Sequence, residues 1–192
     1  MHRIWPLAIA IGVSVRLFIW WATIGSNDVT GWSEHAASVG ELGLAEAYRS
    51  SQVFNHPPLV GLFSSWLWDL ADQDMQIFAR LIKLPGLAGE LLAMLALHRI
   101  GGIRLAALYA LMPAPILVAA YHGNTDCLYA AFALIAALVW DRKCYMLAGF
   151  ALAAALNVKL IPLVLVPLFV IASPNRKALI RFSLALGLGM WP

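Results

Sequence analysis

Apolar residues occupy positions 5–24 almost without a break, with Arg16 as the only charge inside the run. Further apolar stretches follow at 59–70, 75–97, 105–121, 125–140, 144–157 and 160–172, and a last one begins near 178. A helix needs roughly 20 apolar residues to cross about 30 Å of hydrocarbon. The pattern therefore predicts an all-α, polytopic helical membrane protein in a single domain over 1–192, with about six to eight transmembrane or re-entrant helices. The 59–70 helix is short for a span. It follows Asn55, His56, Pro57 and Pro58, a segment kept extended because each proline disfavours the helical region for the residue before it. Pro58 suits the first turn of a helix.

Positions 26–56 break the apolar pattern. Trp32, Ala36 and Val39 recur at helical spacing, as do Leu42, Ala45 and Tyr48 after Gly40, while Asp28, Glu34, His35, Glu41, Glu46 and Arg49 lie between them. This predicts a structured first loop of two short amphipathic helices lying at a membrane surface. A structured loop of this length between spans is usually functional.

Composition agrees with the pattern. Sixty-two per cent of the residues are hydrophobic and 12% charged, against about 45–50% and 25% in soluble domains. A disordered chain, a collagen-like repeat and an ordinary cytosolic enzyme are excluded. With only Cys127 and Cys144, so is a disulfide scaffold. The formal net charge of +3 carries no nucleic-acid motif. The basic residues fall between apolar segments and read as topology signals, at His2 and Arg3, 98–104, 141–143 and 175–181. By the positive-inside rule these loops are cytoplasmic. The acidic 26–56 loop and the 122–126 loop then face outside, which requires 59–70 to be half-inserted or re-entrant.

Polar groups near hydrocarbon are costly and default to a functional reading. Asp28 stands just beyond the first span, where it reads as a general base or, alternatively, as the N-cap of a surface helix starting near Thr30. Glu34 and His35, about two turns on, support it or are simply solvated. The turn made by His122, Gly123, Asn124, Thr125 and Asp126 needs only Gly123 and Asn124 as turn residues. Asp126 also suits the first turn of a helix. One His and one Asp do not make a tetrahedral metal set, so no metal is assigned. Lys159, at a helix junction before Pro162, is either a snorkelling lysine or a point charge for a phosphate. Arg16, Arg80, Lys83 and Glu90 are the remaining intramembrane charges, and Glu90 is placed to neutralise Arg80 or Lys83.

In order along the chain, these features resemble the N-terminal half of the GT-C superfamily of membrane glycosyltransferases. Asp28 stands where that family keeps its catalytic acid. Gly43, Leu44 and Tyr48, followed by His56, Pro57, Pro58 and Leu59, resemble its Gly…Leu-Tyr…Tyr-Pro-Pro-Leu stretch. Arg80 with Glu90 resembles its Arg…Asp span. The 122–126 turn resembles its His/Gly-Gln-Asn turn, and Asn157, Val158, Lys159 and Pro162 resemble its Lys-x-x-Pro segment. The resemblance implies transfer of a hexose from a polyprenyl- or dolichyl-phosphate donor to a lipid, glycan or protein acceptor. Asp28 would act as the inverting base, and Lys159 and Arg16, with His122, Asn124 and Asp126, would bind the donor phosphate. Glu34, His35, His56, Arg80 and Glu90 would support them. It implies no cofactor. Asp28 is followed by Val-Thr-Gly, with no second acid beside it, so no metal site is implied either. Family members are longer and this chain stops within its last apolar stretch, so the resemblance implies an N-terminal piece that is inactive alone. The competing readings are a transporter or flippase component, or a non-catalytic membrane scaffold.

Overall fold

The computed structural model describes residues 4–51 and 54–190. His2, Arg3, Trp191 and Pro192 lie outside the described residues, whose regular structure is all helical, with no strand. The first long helix is α1 (Ile4–Ala22). Two helices follow it, α2 (Asn27–Leu42) and α3 (Leu44–Ser50). The break between them falls at Gly43, not Gly40, because Gly43 takes φ 80°, a left-handed conformation that ends α2. Trp32, Ala36 and Val39 are buried as their spacing predicts, but Leu42 is exposed. In α3 the inward face is Leu44, Ala47 and Tyr48 rather than Ala45.

Pro58 opens α4 (Pro58–Leu70) at its first turn. Val60 near its start and Ala71 just past its end both join one cluster with Phe78, Ala79 and Ile82 and with Val29, Trp32 and Ala36. Trp68 stands edge-on to Phe78 at 5.2 Å, and Leu59, Val60 and Phe63 share a cavity wall with Ile82 and Pro85. Helix α4 therefore runs back beside the first turns of α5, at the end of the bundle where α5 begins.

Asp74 accepts from the backbone N–H groups of Gln76 and Ile77, both at 2.8 Å, and so caps α5 (Met75–Ala110). This element is two helical arms joined at Gly102, whose φ of 74° reverses the chain. The reversal brings the Tyr109 hydroxyl to 2.6 Å from Glu90 Oε1. Nineteen residues along a straight helix would separate them by about 28 Å. After Pro113 begins α6 (Pro113–Ile116), the π-helical turn Leu117–Tyr121 completes the return. Gly12 of α1 packs directly on the Ala110 backbone, with no room for a Cβ.

Helix α7 (Asp126–Asp141) crosses away again, and Gly89 of α5 fits against the backbone of Cys127 and Leu128. Helix α8 (Tyr145–Val158) returns. The 3-10 turn Ile161–Leu165 and α9 (Val166–Ile171), each with a proline in its first turn, carry the chain back to α10 (Arg176–Gly189). Helix α10 ends at Gly189, since Met190 is already extended, so a last helix running through Met190 is corrected, while Trp191 and Pro192 lie outside the described residues. Leu152, Phe169 and Phe182 centre the core of this half.

Among the described residues, two helices, Ile4–Ala22 and Met75–Ala110, are long and apolar enough to cross a membrane. The exit of α1, helices α2 to α4, the start of α5, the 122–125 turn and the end of α8 all gather at one end. The Arg104 guanidinium sits 5.8 Å over Trp5 at the other.

Candidate functional site

Ser26 accepts from the Asp28 backbone N–H at 3.3 Å and caps α2, which starts at Asn27. Asp28 is therefore not the cap. It is a first-turn carboxylate at the positive end of the helix dipole, and half its side-chain surface is open. The His122 Nδ1 lies 2.9 Å from Ser26 Oγ and 3.5 Å from Asp28 Oδ2, joining the 122–126 turn to the start of α2. Asn124 Oδ1 accepts from the Asp126 N–H at 3.1 Å and starts α7.

Asp126 in turn holds Lys159. Its Oδ1 accepts from Lys159 Nζ at 2.7 Å, and the lysine is 18% exposed. Lys159 follows Val158, where α8 ends in extended backbone ahead of Pro162. His56 approaches from the first loop, its Nδ1 3.3 Å from the Val158 carbonyl. The Tyr48 hydroxyl donates to the His56 carbonyl. The first loop is thus tied across the end of α8.

Between these elements lies a cavity of about 530 Å³. Asp28, Glu34, His35, His56, Asn124 and Lys159, all singled out in the sequence, line it. Asn27, Ser38, Phe54 and Trp32 line it as well and were not expected there. Phe54 carries the aromatic wall, with Trp32 edge-on at 5.7 Å and His35 stacked at 3.2 Å. His35 is only 6% exposed, which corrects its reading as a solvated helix position. Burial, and then the neighbouring His56, push its pKa down to about 4. Burial lowers the His56 pKa too, with Lys159 adding to the effect, against the opposing Val158 carbonyl and Asp126. Glu34 is exposed.

Arg16 does not line this cavity. It is buried midway along α1 and paired to Glu90, with Nη2 to Oε2 at 2.6 Å. The partner of Glu90 is thus Arg16, not Arg80 or Lys83. The Arg80 guanidinium packs 4.1 Å over Trp21. Lys83 donates to the Thr23 and Trp20 carbonyls at 2.7 and 3.2 Å, capping the C-terminal end of α1. That role was not read from the sequence, although a lysine facing a helix C-terminus satisfies a known need.

A second cavity of about 280 Å³ lies between α4, α5, α7 and α8, with Leu59, Phe63, Pro85, Leu128 and Val158 in its wall. Among the described residues no group of three or more His, Cys, Asp or Glu is arranged to hold a metal ion. No family model, no curated protein and no solved structure matches the chain.

Proposed function

We propose that the chain is a multi-pass membrane protein carrying the catalytic end of a GT-C-type glycosyltransferase, which moves a hexose from a polyprenyl-phosphate donor to an acceptor hydroxyl. Its polarity supports the membrane part of this reading. Phe18, Trp21 and Leu7 of α1 are 72%, 61% and 60% exposed, while Arg16, Lys83 and Glu90 are buried. Soluble proteins arrange these classes the other way round. An apolar skin over saturated internal charges suits a lipid solvent.

The observation that carries the chemistry is that Asp28 and Lys159, from opposite ends of the chain, line one cavity. A lipid phosphate is already a good leaving group. What remains is to remove the acceptor proton and hold the two reactants in line. Asp28, half open and free of a strong cation partner, suits the base. Lys159 suits the departing phosphate once Asp126 yields it. The all-apolar second cavity lies directly beyond Val158, a fitting place for the first lipid units of the donor. The active face is extracytoplasmic in this reading, since the basic loops lie at the far end of the bundle. Arg16 spends four hydrogen bonds on Glu90, Gly12 and Ala110. That saturation favours a structural lock over an ion pathway.

The test is Asp28→Asn in the longer protein that the resemblance implies, in membranes supplied with radiolabelled polyprenyl-phosphate hexoses. Loss of the base is expected to lower transfer about 10²–10⁴-fold at unchanged expression. Transfer by the variant at the unsubstituted rate would overturn the assignment.

A further inference from the structure

We infer that the acceptor is a carbohydrate, bound as an extended chain along α2. This rests on the transferase reading above and names the acceptor class for the same cavity. Asp28 and Ser38 both line the cavity, and ten residues of helix separate them by about 15 Å. The ionic groups of the reaction, Asp28 and Lys159, belong to the end where α2 begins beside the 122–126 turn. The cavity continues well past them, to Glu34, Ser38 and the Ser50–Ser51 corner that closes α3. That length exceeds what one hexosyl ring between base and phosphate occupies, so the distal part serves something else.

Its chemistry selects the occupant. The distal walls carry the Glu34 carboxylate and the Ser38, Ser50 and Ser51 hydroxyls, with the half-buried Phe54 ring as the apolar surface. Glu34 and Ser38 make no side-chain hydrogen bond to another described residue. A carboxylate accepts strongly from neutral hydroxyl donors, and serine both donates and accepts. An aromatic face packs against the C–H side of a pyranose. Ser50 already donates to the Glu46 carbonyl and Ser51 accepts from the Phe54 N–H, but a lipid chain would leave the Glu34 carboxylate and the Ser38 hydroxyl without a partner. A phosphorylated or acidic acceptor would meet Asp28 and Glu34 with only Lys159, already paired, in opposition. Polyhydroxylated rings satisfy the acid, the hydroxyls and the aromatic wall together.

The test is equilibrium binding to the intact chain in lipid nanodiscs by saturation-transfer NMR. The probes are mannotriose, maltotriose, their monosaccharides, a serine- and threonine-bearing heptapeptide and a short isoprenoid alcohol. At least one trisaccharide is expected to bind, at least fivefold more tightly than its monosaccharide. Glu34→Ala and Ser38→Ala are each expected to weaken it at least threefold with the melting temperature unchanged. Binding of the peptide or the alcohol without either trisaccharide overturns the inference. So does the absence of any binding, equal affinity for mono- and trisaccharide, or indifference to both substitutions. The transferase reading fails separately. Trisaccharide binding without Asp28-dependent transfer removes the enzyme and leaves the sugar cavity, whereas Asp28-dependent transfer to the peptide or the alcohol does the reverse.

Discussion

Arg16 Nη2 lies 2.6 Å from Glu90 Oε2, and the two side chains are 2% and 0% exposed. The pair joins α1 to α5. The same guanidinium reaches the Ala110 carbonyl beyond the Gly102 reversal, and Tyr109 occupies the other carboxylate oxygen. One charge pair therefore fastens three rods: α1, the long arm of α5 and the returning arm. Nothing in it faces the cavity where Asp28 and Lys159 lie.

Removing one partner of such a pair leaves an uncompensated buried charge, which typically costs about 3–5 kcal/mol. Arg16→Met and Glu90→Met are each expected to lower the unfolding midpoint in detergent substantially. The double variant should recover most of the loss, because paired apolar replacements of similar volume are often neutral or better. A double-mutant cycle on thermal unfolding reads this directly. Additive losses would show that the two side chains do not act as a unit.

Lys159 is held by Asp126 at 2.7 Å in a setting open enough for exchange. If the lysine serves a phosphate, the carboxylate competes with it. Asp126→Asn is then expected to tighten binding of a polyprenyl phosphate, and Lys159→Ala to weaken it about 10-fold or more, the value of one charge-assisted hydrogen bond. Fluorescent-lipid titration in nanodiscs measures both. Equal weakening by both variants would mean that the pair supports the end of α8 without meeting the lipid.

The rods were legible because their signal is local. A 20-residue apolar run and a Pro58 suited to the first turn of a helix each declare themselves within a few positions, whereas the Asn175 cap of α10 reads in the sequence as part of a basic loop. The membership of the cavity was legible in part: Asp28, Asn124 and Lys159 stand out as polar groups at the ends of apolar segments and line it, whereas His122, Asp126, Arg16, Arg80 and Glu90 do not. Pairing was not. Arg16 and Glu90 are 74 residues apart, and only the Gly102 reversal, hidden in a Gly-Gly step, brings the returning arm to them. The alternative reading of Asp28 as an N-cap fails because Ser26 and Asp28 both satisfy the N-cap preference, and geometry gives the role to Ser26. His35 looked solvated because its neighbours are polar. Its burial comes from Phe54 and Tyr48 arriving across a loop.

That burial predicts an acid sensitivity. The folded pKa of His35, about 4, lies below its ordinary 6.5. The unfolded chain therefore binds the extra proton first as pH falls, and folding loses stability on the acid side. The contribution is complete above about pH 6.5 and disappears between there and pH 4, with about 2 kcal/mol lost from pH 7 to pH 5. His56, shifted in the same direction, adds to the slope. His35→Phe keeps the stacking on Phe54 and removes the titration, so its melting temperature is expected to depend less on pH over this window. An unchanged slope in His35→Phe would assign the acid effect elsewhere.

The last expectation concerns sidedness. Cys144 is exposed in the turn between α7 and α8, and Cys127 is buried. The 142–144 turn lies at the end of the bundle opposite to α2 and the 122–125 turn, because α7 runs from one end to the other. Glu41 and Asn124 lie at the cavity end, where His122 is tied to Ser26. In a Cys144→Ser background, Glu41→Cys and Asn124→Cys should therefore react with an impermeant maleimide from the same face of sealed vesicles. Native Cys144 should react only after the opposite face is opened. A helix that spanned at 59–70 would separate Glu41 from Asn124. Labelling of those two positions from opposite faces would break both the topology and the assignment of one cavity to Asp28 and Lys159. Labelling of Cys144 together with them would remove the membrane from between the two ends of the bundle.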